Sequence, residues 1–263
     1  MTNITWLQKR SVLLHGWMAE SFHFFSNSDG RHNRIAERSH FFSNYMTNII
    51  CSWSGGKDSC FALMQAVQQG YRPVALLNVM NENGQISRSH GLPSSILQQQ
   101  AAAAGLPLTT IASSWQDYEA NFVTQLKDLK QEYAASAAVF GDIDLQAHRD
   151  WEEKVCAAAG LEALLPLWQL ERKLLVYRML QEGIRCMIVS CNTHLGESFL
   201  GRILDDVLIA ELEEKGVDVC GENGEFHTVV VDCPLFAVPV QLPGFTKVRH
   251  EEYWFLQWEI KHT

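Results

Sequence analysis

Residues 54–59 are the part of the chain whose residue types and spacing could do the most chemistry, and they read Ser54-Gly55-Gly56-Lys57-Asp58-Ser59. Two adjacent glycines let backbone N–H groups approach an anion without a Cβ in the way. A helix that begins here would add the partial positive charge of its N-terminus, and Lys57 adds a full charge. We therefore predict a cradle for nucleotide phosphates, here called the phosphate loop, rather than an ordinary turn. It is not a Walker A loop, because the G-x-x-x-x-G-K-[ST] spacing is absent.

A second polar cluster lies at residues 221–228 and contains two carboxylates, an amide and an imidazole: Glu222, Asn223, Glu225 and His227. The simpler interpretation is a solvated hairpin turn, since Asn-Gly is a common hairpin signal. In the functional interpretation His227 is the proton acceptor, because the ordinary pKa of histidine lies near neutrality. The two glutamates would serve as oxygen ligands of a hard cation or as partners of an amine. We expect this 221–228 loop to face the phosphate loop.

Strands and helices alternate around the phosphate loop. Four strands are predicted at 49–53, 74–80, 108–112 and 137–140, with helices that end near Gly70, Ala104 and Tyr133. Repeated strand–helix units predict a parallel sheet covered by helices on both faces. Such sheets bind ligands at the carboxyl ends of their strands. Gly141 and Asp142 follow the fourth strand, so they should face the phosphate loop across one crevice and contact the same nucleotide. Lys57, as a loop residue, should face solvent.

The second half follows without a linker. We predict helices at 148–159 and 170–182, a strand at 185–191, a long helix near 199–215 and a β-rich tail from Thr228. Along the long helix, Leu200, Ile203, Leu204, Val207 and Leu208 should be buried. We therefore expect an α/β fold in two parts, with the active site between them. Residues 46–145 would form a nucleotide-binding domain with a parallel sheet, and residues 146–263 a smaller α+β domain for the substrate.

The composition is that of an ordinary globular protein. Of 263 residues, 47% are hydrophobic and 19% are charged, and no apolar run approaches the length of a membrane span. The formal net charge of −9 argues against nonspecific binding of nucleic acid. Seven cysteines without C-x-x-C spacing predict free thiols in a reducing cytoplasm and disfavour an iron–sulfur cluster. The oligomeric state is left open, with a homodimer as one option.

Residues 1–45 differ from the rest of the chain and show no clean period. Their histidines are too irregularly spaced to favour a metal site: His15, His23, His32 and His40. The opening Met-Thr-Asn-Ile recurs at 46–49, directly before the first predicted strand. We expect the working protein to begin at Met46, with residues 1–45 as an extension that has no catalytic role.

Several segments in the right order resemble the diphthine–ammonia ligase family, whose catalytic part is an N-type PP-loop ATP pyrophosphatase. The resemblance covers residues 46–236 and rests on segments 52–59, 141–143, 148–152, 166–168, 200–202 and 221–228. It implies a fold of the PP-loop, adenine-nucleotide-hydrolase type, with ATP and Mg²⁺ as cofactors. It also implies that the substrate contacts come from His148, Trp151, Glu152, Arg202 and Asn223. One departure is Asp232-Cys233-Pro234, where the family usually has Asp-Gly-Pro.

The activity implied by this resemblance is the ATP-dependent amidation of diphthine, a modified histidine on elongation factor 2, with ammonium as the nitrogen source. A carboxylate is adenylated, pyrophosphate leaves, and ammonia displaces AMP. Lys57 and magnesium, with Asp58 as its candidate ligand, would offset the charge on the departing pyrophosphate. The acceptor would be protein-bound diphthine or another carboxylate-bearing molecule. The alternatives are a PP-loop enzyme that thiolates tRNA and an adenine-nucleotide sensor without turnover.

Overall fold

The computed structural model describes residues 47–259, and the predictions made for residues 1–45 lie outside that range. Its strands are β1 (Asn48–Ser52), β2 (Arg72–Met80), β3 (Leu108–Ala112), β4 (Ala137–Val139), β5 (Glu162–Leu164), β6 (Arg185–Asn192), β7 (Phe226–Asp232), β8 (Phe245–His250) and β9 (Tyr253–Trp258). Its helices are α1 (Lys57–Gln68), α2 (Ser94–Ala104), α3 (Tyr118–Tyr133), α4 (Gln146–Ala159), α5 (Arg172–Gln181) and α6 (Asp206–Glu214). Within residues 47–259, none of these helices is both long and apolar enough to cross a membrane.

The first five strands form a parallel sheet in the order β3-β2-β1-β4-β5. Successive residues of a strand point to opposite faces of its sheet. Ile49 and Cys51 accordingly join the core cluster that contains α1 and α2, whereas Ile50 joins the cluster that contains α3 and α4. Helices thus cover both faces, and the predicted α/β fold is confirmed. Its central strand, β1, leads directly into the phosphate loop.

The last four strands form a separate antiparallel sheet in the order β7-β6-β9-β8. One core cluster runs from α1 through β6 and β7 to α6, so α1 packs toward both sheets. The second half of the chain therefore has the predicted smaller α+β architecture. The predicted division between residues 145 and 146 falls just before α4, while β5 still pairs with β4 in the parallel sheet.

The long helix predicted near 199–215 is wrong in its first half. α6 begins only after Asp205, whose side chain caps it by accepting a hydrogen bond from the Leu208 N–H at 2.8 Å. Gly201 has a φ of +80°, which is incompatible with a continuous helix. Val207, predicted to be buried, is 65% exposed. The apolar spacing that looked helical belongs to an extended segment followed by a short helix.

Candidate active site

The phosphate loop joins β1 to α1 at the carboxyl edge of the parallel sheet. β2 and β4 lie on either side of β1, so the strand order reverses here, which is where open α/β sheets bind ligands. Gly55 has a φ of +84°, a left-handed conformation that favours glycine. A Cβ at Gly56 would collide with the His90 ring and lie 3.2 Å from the Thr228 carbonyl oxygen. The backbone conformation at Gly55 and the close neighbours of Gly56 therefore favour glycine at both positions.

Two serines hold the phosphate loop in shape. The hydroxyls of Ser54 and Ser59 lie 3.0 Å apart, and the Gly56 N–H donates to Ser54 Oγ at 3.3 Å. The N–H groups of Asp58 and Ser59 belong to the first turn of α1, where a helix has no carbonyl four residues earlier to pair with them. The loop thus offers hydroxyls and helix N–H groups, which are the donors that phosphate oxygens require.

Lys57 is buried, so the expectation that it faces solvent is wrong. It is 3% exposed, and its Nζ donates to the Cys220 carbonyl at 2.5 Å and to Asp58 Oδ2 at 2.9 Å. Burial opposes its charge, but Asp58, Cys220 and Glu222 outweigh that effect and raise the pKa of Lys57 above its ordinary value. The Lys57 ammonium is therefore a fixed positive charge at the foot of the phosphate loop.

β4 brings Gly141 against the first turn of α1. A Cβ at position 141 would lie 2.7 Å from the Asp58 carbonyl carbon and 2.7 Å from the Ser59 nitrogen, closer than real Cβ contacts. The absence of a side chain at Gly141 is what lets the two segments touch. Asp142 follows at the cavity wall, so the predicted crevice between the phosphate loop and the end of β4 is present.

The 221–228 loop and β7 pack directly on the phosphate loop. The Lys57 N–H donates to Thr228 Oγ1 at 3.1 Å, and the Val230 N–H donates to the Gly55 carbonyl at 2.9 Å. His90 adds a third link, because its Nδ1 lies 2.8 Å from the Thr228 carbonyl oxygen. Residues more than 160 positions apart in sequence therefore build one site.

A cavity of about 620 Å³ opens between these segments. Most predicted site residues line it: Ser54, Lys57, Asp58, Ser59, Gly141, Asp142, His148, Trp151, Glu152, Glu222 and His227. Gly55 and Gly56 belong to the phosphate loop itself and pack away from the cavity against α2 and His90. The lining does not include Arg202, Asn223 or Glu225.

These three residues have other partners. Arg202 forms a bidentate ion pair with Glu211, with N–O distances of 2.5 and 2.6 Å. Glu225 accepts hydrogen bonds from the Asn223 N–H and from Asn223 Nδ2, both at 3.0 Å. Asn223 and Glu225 therefore shape the turn from which Glu222 reaches the cavity.

Glu222 titrates near neutrality. Burial and the neighbouring charge of Asp58 raise its pKa to about 7, although Lys57 acts in the opposite direction. Asp58 Oδ1 is buried and has no hydrogen-bond partner among residues 47–259. Nowhere in the described part of the chain do three or more potential ligands form a ready-made metal site.

The rings of His227 and His90 are in contact, with centroids 4.7 Å apart and planes tilted by 36°. Burial is the main cause that lowers the pKa of His90 to about 4 and that of His227 to about 3, and the charge of Lys57 contributes to both reductions. Both rings are therefore neutral at physiological pH. The premise that His227 keeps an ordinary histidine pKa does not hold, and Glu222 is the group of this loop that exchanges a proton near neutrality.

His148, Trp151 and Glu152 lie on one face of α4, as their i, i+3 and i+4 spacing requires. His148 Nδ1 lies 2.7 Å from Asp142 Oδ1, and this hydrogen bond raises the pKa of His148. Trp151 Nε1 donates to Glu119 Oε2 at 3.1 Å, which fixes the orientation of its ring. The helix thus places a polar and aromatic wall beside the end of β4.

Gln100 holds the phosphate loop against β7, although nothing in the sequence pattern singles it out. Gln100 is fully buried, and its Nε2 donates to the Gly55 carbonyl at 2.9 Å and to the Val230 carbonyl at 2.8 Å. Its Oε1 accepts from Trp53 Nε1 at 2.9 Å. A glutamine in a run of glutamines and alanines looks like an ordinary helix residue until the packing is known.

Arg172 was also missed, and it links Asp144, which follows β4, to Asp218, which precedes the 221–228 loop. Its guanidinium binds Asp144 through two hydrogen bonds of 2.6 and 2.7 Å and also pairs with Asp218. Asp218 accepts from the Cys220 N–H at 2.9 Å, and the Cys220 carbonyl is the acceptor for Lys57. Arg172 therefore helps to fix the segment that holds the Lys57 ammonium.

Replacing Gly141 by alanine should displace the first turn of α1 and weaken ATP binding by about tenfold or more. The added Cβ meets backbone rather than a flexible side chain, and overpacking of this kind costs about 1–3 kcal/mol of stability. Gly244→Ala is a matched control, because there the new Cβ meets only the mobile carboxylate of Glu259. Calorimetric titration with ATP and thermal unfolding would measure both effects. Equal ATP affinity in the two variants would contradict the close approach of β4 to α1.

Family models match both halves of the chain. The Diphthamide synthase N-terminal domain matches residues 47–163, and the Diphthamide synthase C-terminal domain matches residues 172–263. A diphthine–ammonia ligase of Homo sapiens is 34% identical over 224 residues, which cover 75% of this chain and 83% of the relative. The corresponding protein of Danio rerio is 31% identical over 228 residues, which cover 76% of this chain and 88% of the relative.

A solved structure from Methanocaldococcus jannaschii, described as a predicted subunit of tRNA methyltransferase, is more distant. It covers 71% of this chain and 98% of its own at 17% identity and a TM-score of 0.39, which carries no functional argument. The two family models, in contrast, include both the phosphate loop and the 221–228 loop. The chain therefore belongs to the diphthamide synthase family, the family that its motifs resembled.

Proposed function

We propose that this protein is an ATP-dependent, AMP-forming carbon–nitrogen ligase that amidates a carboxylate with ammonia, the reaction named in its relatives. The observation that carries the proposal is the packing of the 221–228 loop on the phosphate loop around one cavity. Its volume of about 620 Å³ is typical of small-molecule sites. Phosphate-binding groups and a titrating carboxyl group thus share one space, as adenylation followed by amide formation requires.

ATP supplies the activation, because adenylation gives a carboxylate carbon a good leaving group. The serine hydroxyls of the phosphate loop and the N–H groups of the first turn of α1 would bind the phosphates. The fixed charge of Lys57 would offset the charge that develops on the departing pyrophosphate. Since Lys57 is already held by Cys220 and Asp58, little reorganisation is needed when the charge appears.

The residues beside Lys57 fit a magnesium ion. Asp58 Oδ1 is a buried carboxylate oxygen without a partner among the described residues, and Glu222 lies near enough for the Asp58 charge to shift its pKa upward. Mg²⁺ commonly binds through one or two carboxylates, water and substrate phosphates, so a preformed cage of protein ligands is not required. Asp58 would hold the ion together with water and the nucleotide phosphates, and the ion would neutralise phosphate charge.

The charges of the cavity favour amidation over modification of tRNA. Four carboxyl side chains line the cavity together with Lys57: Asp58, Asp142, Glu152 and Glu222. A nucleic acid needs a basic surface for its phosphates. This lining instead suits a small cation next to a nucleotide, which is the combination that an ammonia-dependent ligase uses.

The reaction can be tested directly with ¹⁵N-labelled ammonium, ATP and an acceptor. We propose protein-bound diphthine as the acceptor and would compare diphthine-bearing elongation factor 2 with a small-molecule extract. Formation of a labelled amide, with AMP and pyrophosphate in equal amounts, is the expected result and can be followed by mass spectrometry. Labelling of a small molecule instead would support the ligase reaction but show that the acceptor is not diphthine. ATP binding without pyrophosphate release under all conditions would instead indicate a nucleotide sensor.

A chain that begins at Met46 should bind ATP as tightly as the full chain. The phosphate loop lies within residues 46–145 and the 221–228 loop within residues 146–263, and we propose that these parts act as the nucleotide-binding and substrate-binding domains. Residues 47–259 contain both sheets and the cavity lining described above. Calorimetric titration of both chains would check the expectation. Weaker ATP binding or loss of solubility in the shorter chain would show that residues 1–45 contribute to the site.

A further inference from the structure

A pair of carboxyl groups lies in the cavity wall where the end of β4 meets α4. Glu152 is 3% exposed and shares a hydrogen bond with Asp142. Burial and that bond raise the pKa of Glu152 to about 11. For Asp142 burial acts upward, but hydrogen bonds from His148 and Glu152 outweigh it and lower the pKa. At neutral pH the pair therefore holds one proton and one negative charge.

One oxygen of Glu152 receives no hydrogen bond from a donor in the described part of the chain. Glu152 Oε2 is buried at the cavity wall and has no hydrogen-bond partner among residues 47–259. A buried acceptor without a hydrogen-bond partner lowers the stability of the fold. A bound ligand with a hydrogen-bond donor would remove that cost. A protonated Glu152 carboxyl group can donate to Asp142 through one oxygen and accept from such a ligand through the other.

Two aromatic rings belong to the same wall. Tyr118 and Trp151 line the cavity with ring centroids 5.6 Å apart. Burial raises the pKa of Tyr118; the charge of Arg88 acts in the opposite direction, and Asp142 and Glu152 add to the rise. The faces of aromatic rings attract cations, most strongly where water is excluded. An ionised carboxylate, an unpaired acceptor and aromatic faces together suit a small cation that carries N–H donors.

We propose that Asp142, Glu152, Tyr118 and Trp151 form the binding site for ammonium, the nitrogen source of the ligase. This inference rests on the proposed function and assigns that substrate to one wall of the cavity. Asp142 would supply the negative charge, and Glu152 would accept a hydrogen bond from an ammonium N–H. A metal cation has no N–H and cannot make that hydrogen bond. Glu222 lies close enough to Asp142 for the two charges to interact. The nitrogen would thus be held next to the loop that we assign to the acceptor.

The inference is tested by a pair of substitutions at Glu152. Methionine keeps the approximate length of the side chain but removes the acceptor, so Glu152→Met should raise the KM for ammonium about tenfold or more. Glutamine can reproduce both bonds of the protonated acid, with its amide N–H toward Asp142 and its carbonyl toward the cavity. Glu152→Gln should therefore recover most of the lost affinity for ammonium, while the KM for ATP stays the same in both variants. Equal effects of Met and Gln, or a parallel rise in the KM for ATP, would overturn the site.

Thermal unfolding in the presence of ammonium tests ammonium binding independently of amide formation. Ammonium chloride should raise the Tm of the wild-type protein and of Glu152→Gln above that in sodium or potassium chloride at the same ionic strength. Glu152→Met should lose this difference, and Asp142→Asn offers a second variant that removes the charge. Equal stabilisation by potassium would identify a general cation site and overturn the ammonium assignment. Ammonium binding without amide formation on any acceptor would refute the ligase proposal alone, whereas normal ammonium KM in a folded Glu152→Met enzyme would refute the site alone.

Discussion

Replacing Lys57 by methionine should reduce pyrophosphate release about 100- to 1,000-fold, the loss expected when one preorganised charge at a reacting group is removed. Methionine fills nearly the same space, so the packing around this 3%-exposed side chain is kept and the charge is lost. The buried Cys220 carbonyl loses its donor, which should lower the free energy of unfolding by about 1–3 kcal/mol. Alanine would be a poorer test, since it would also leave a cavity beside the phosphate loop.

The same substitution at a surface lysine gives the matched control. Lys173 is 48% exposed and pairs with Glu213, so Lys173→Met should leave pyrophosphate release unchanged. Lys57→Arg keeps the charge but must fit a larger, planar group into a buried position, and we expect intermediate activity. Stopped-time assays of pyrophosphate and thermal unfolding of all three variants would check these expectations. Normal pyrophosphate release by the folded Lys57→Met variant would contradict the proposal that the phosphate loop takes part in ATP cleavage.

The parts of the site that could be predicted from sequence are those with local causes. A short apolar strand, two glycines and a helix start are consecutive in the chain. Gly55 has a left-handed backbone conformation, which depends on the local turn and not on distant residues. The strand order follows from repeated β-α units, which bring Gly141 to the same edge of the sheet as the phosphate loop. The predicted meeting of these two segments needed no knowledge of side-chain packing.

The parts that could not be predicted depend on distant partners. The burial of Lys57 depends on the Cys220 carbonyl, and the role of Gln100 depends on Val230, which lies 130 positions further along the chain. The pKa of His227 is lowered by its surroundings, first by burial and then by His90, which no local pattern pairs with it. The periodicity at 199–215 was also misleading, because apolar side chains in an extended segment can match a helical spacing by chance.

β5 shows the same limit for secondary structure. It has three residues, Glu162–Leu164, of which the first is exposed and the others are only partly buried. Such a strand at the edge of a sheet has too little hydrophobic pattern to be recognised. Its pairing with β4 nevertheless extends the parallel sheet beyond residue 145.

Glu222→Gln should slow amide formation about 100-fold while leaving ATP binding nearly intact. Glutamine has the same shape as glutamate but cannot take up a proton from an attacking amine, and loss of a general base typically costs about 10²- to 10⁴-fold. Glu225→Gln is the control from the same loop, because Glu225 is bound to Asn223 and does not line the cavity. Its effect on amide formation should be much smaller. Equal rates of amide formation in the wild-type protein and in a variant that carries both Glu222→Gln and Glu225→Gln would exclude both glutamates from the acceptor step.

The pH dependence gives a sharper criterion, because the surroundings raise the pKa of Glu222 to about 7. If its carboxylate is the active form, the wild-type rate should rise with pH through about 7 and then level off. Free ammonia also becomes more abundant at higher pH, so the rate itself cannot separate the two causes. The ratio of the wild-type rate to the Glu222→Gln rate cancels the ammonia trend, and that ratio should still rise through about 7. A ratio that is constant from pH 5.5 to 8.5 would mean that Glu222 does not act as a base. His227 could not replace it as the titrating group, because burial, His90 and Lys57 hold its pKa at about 3.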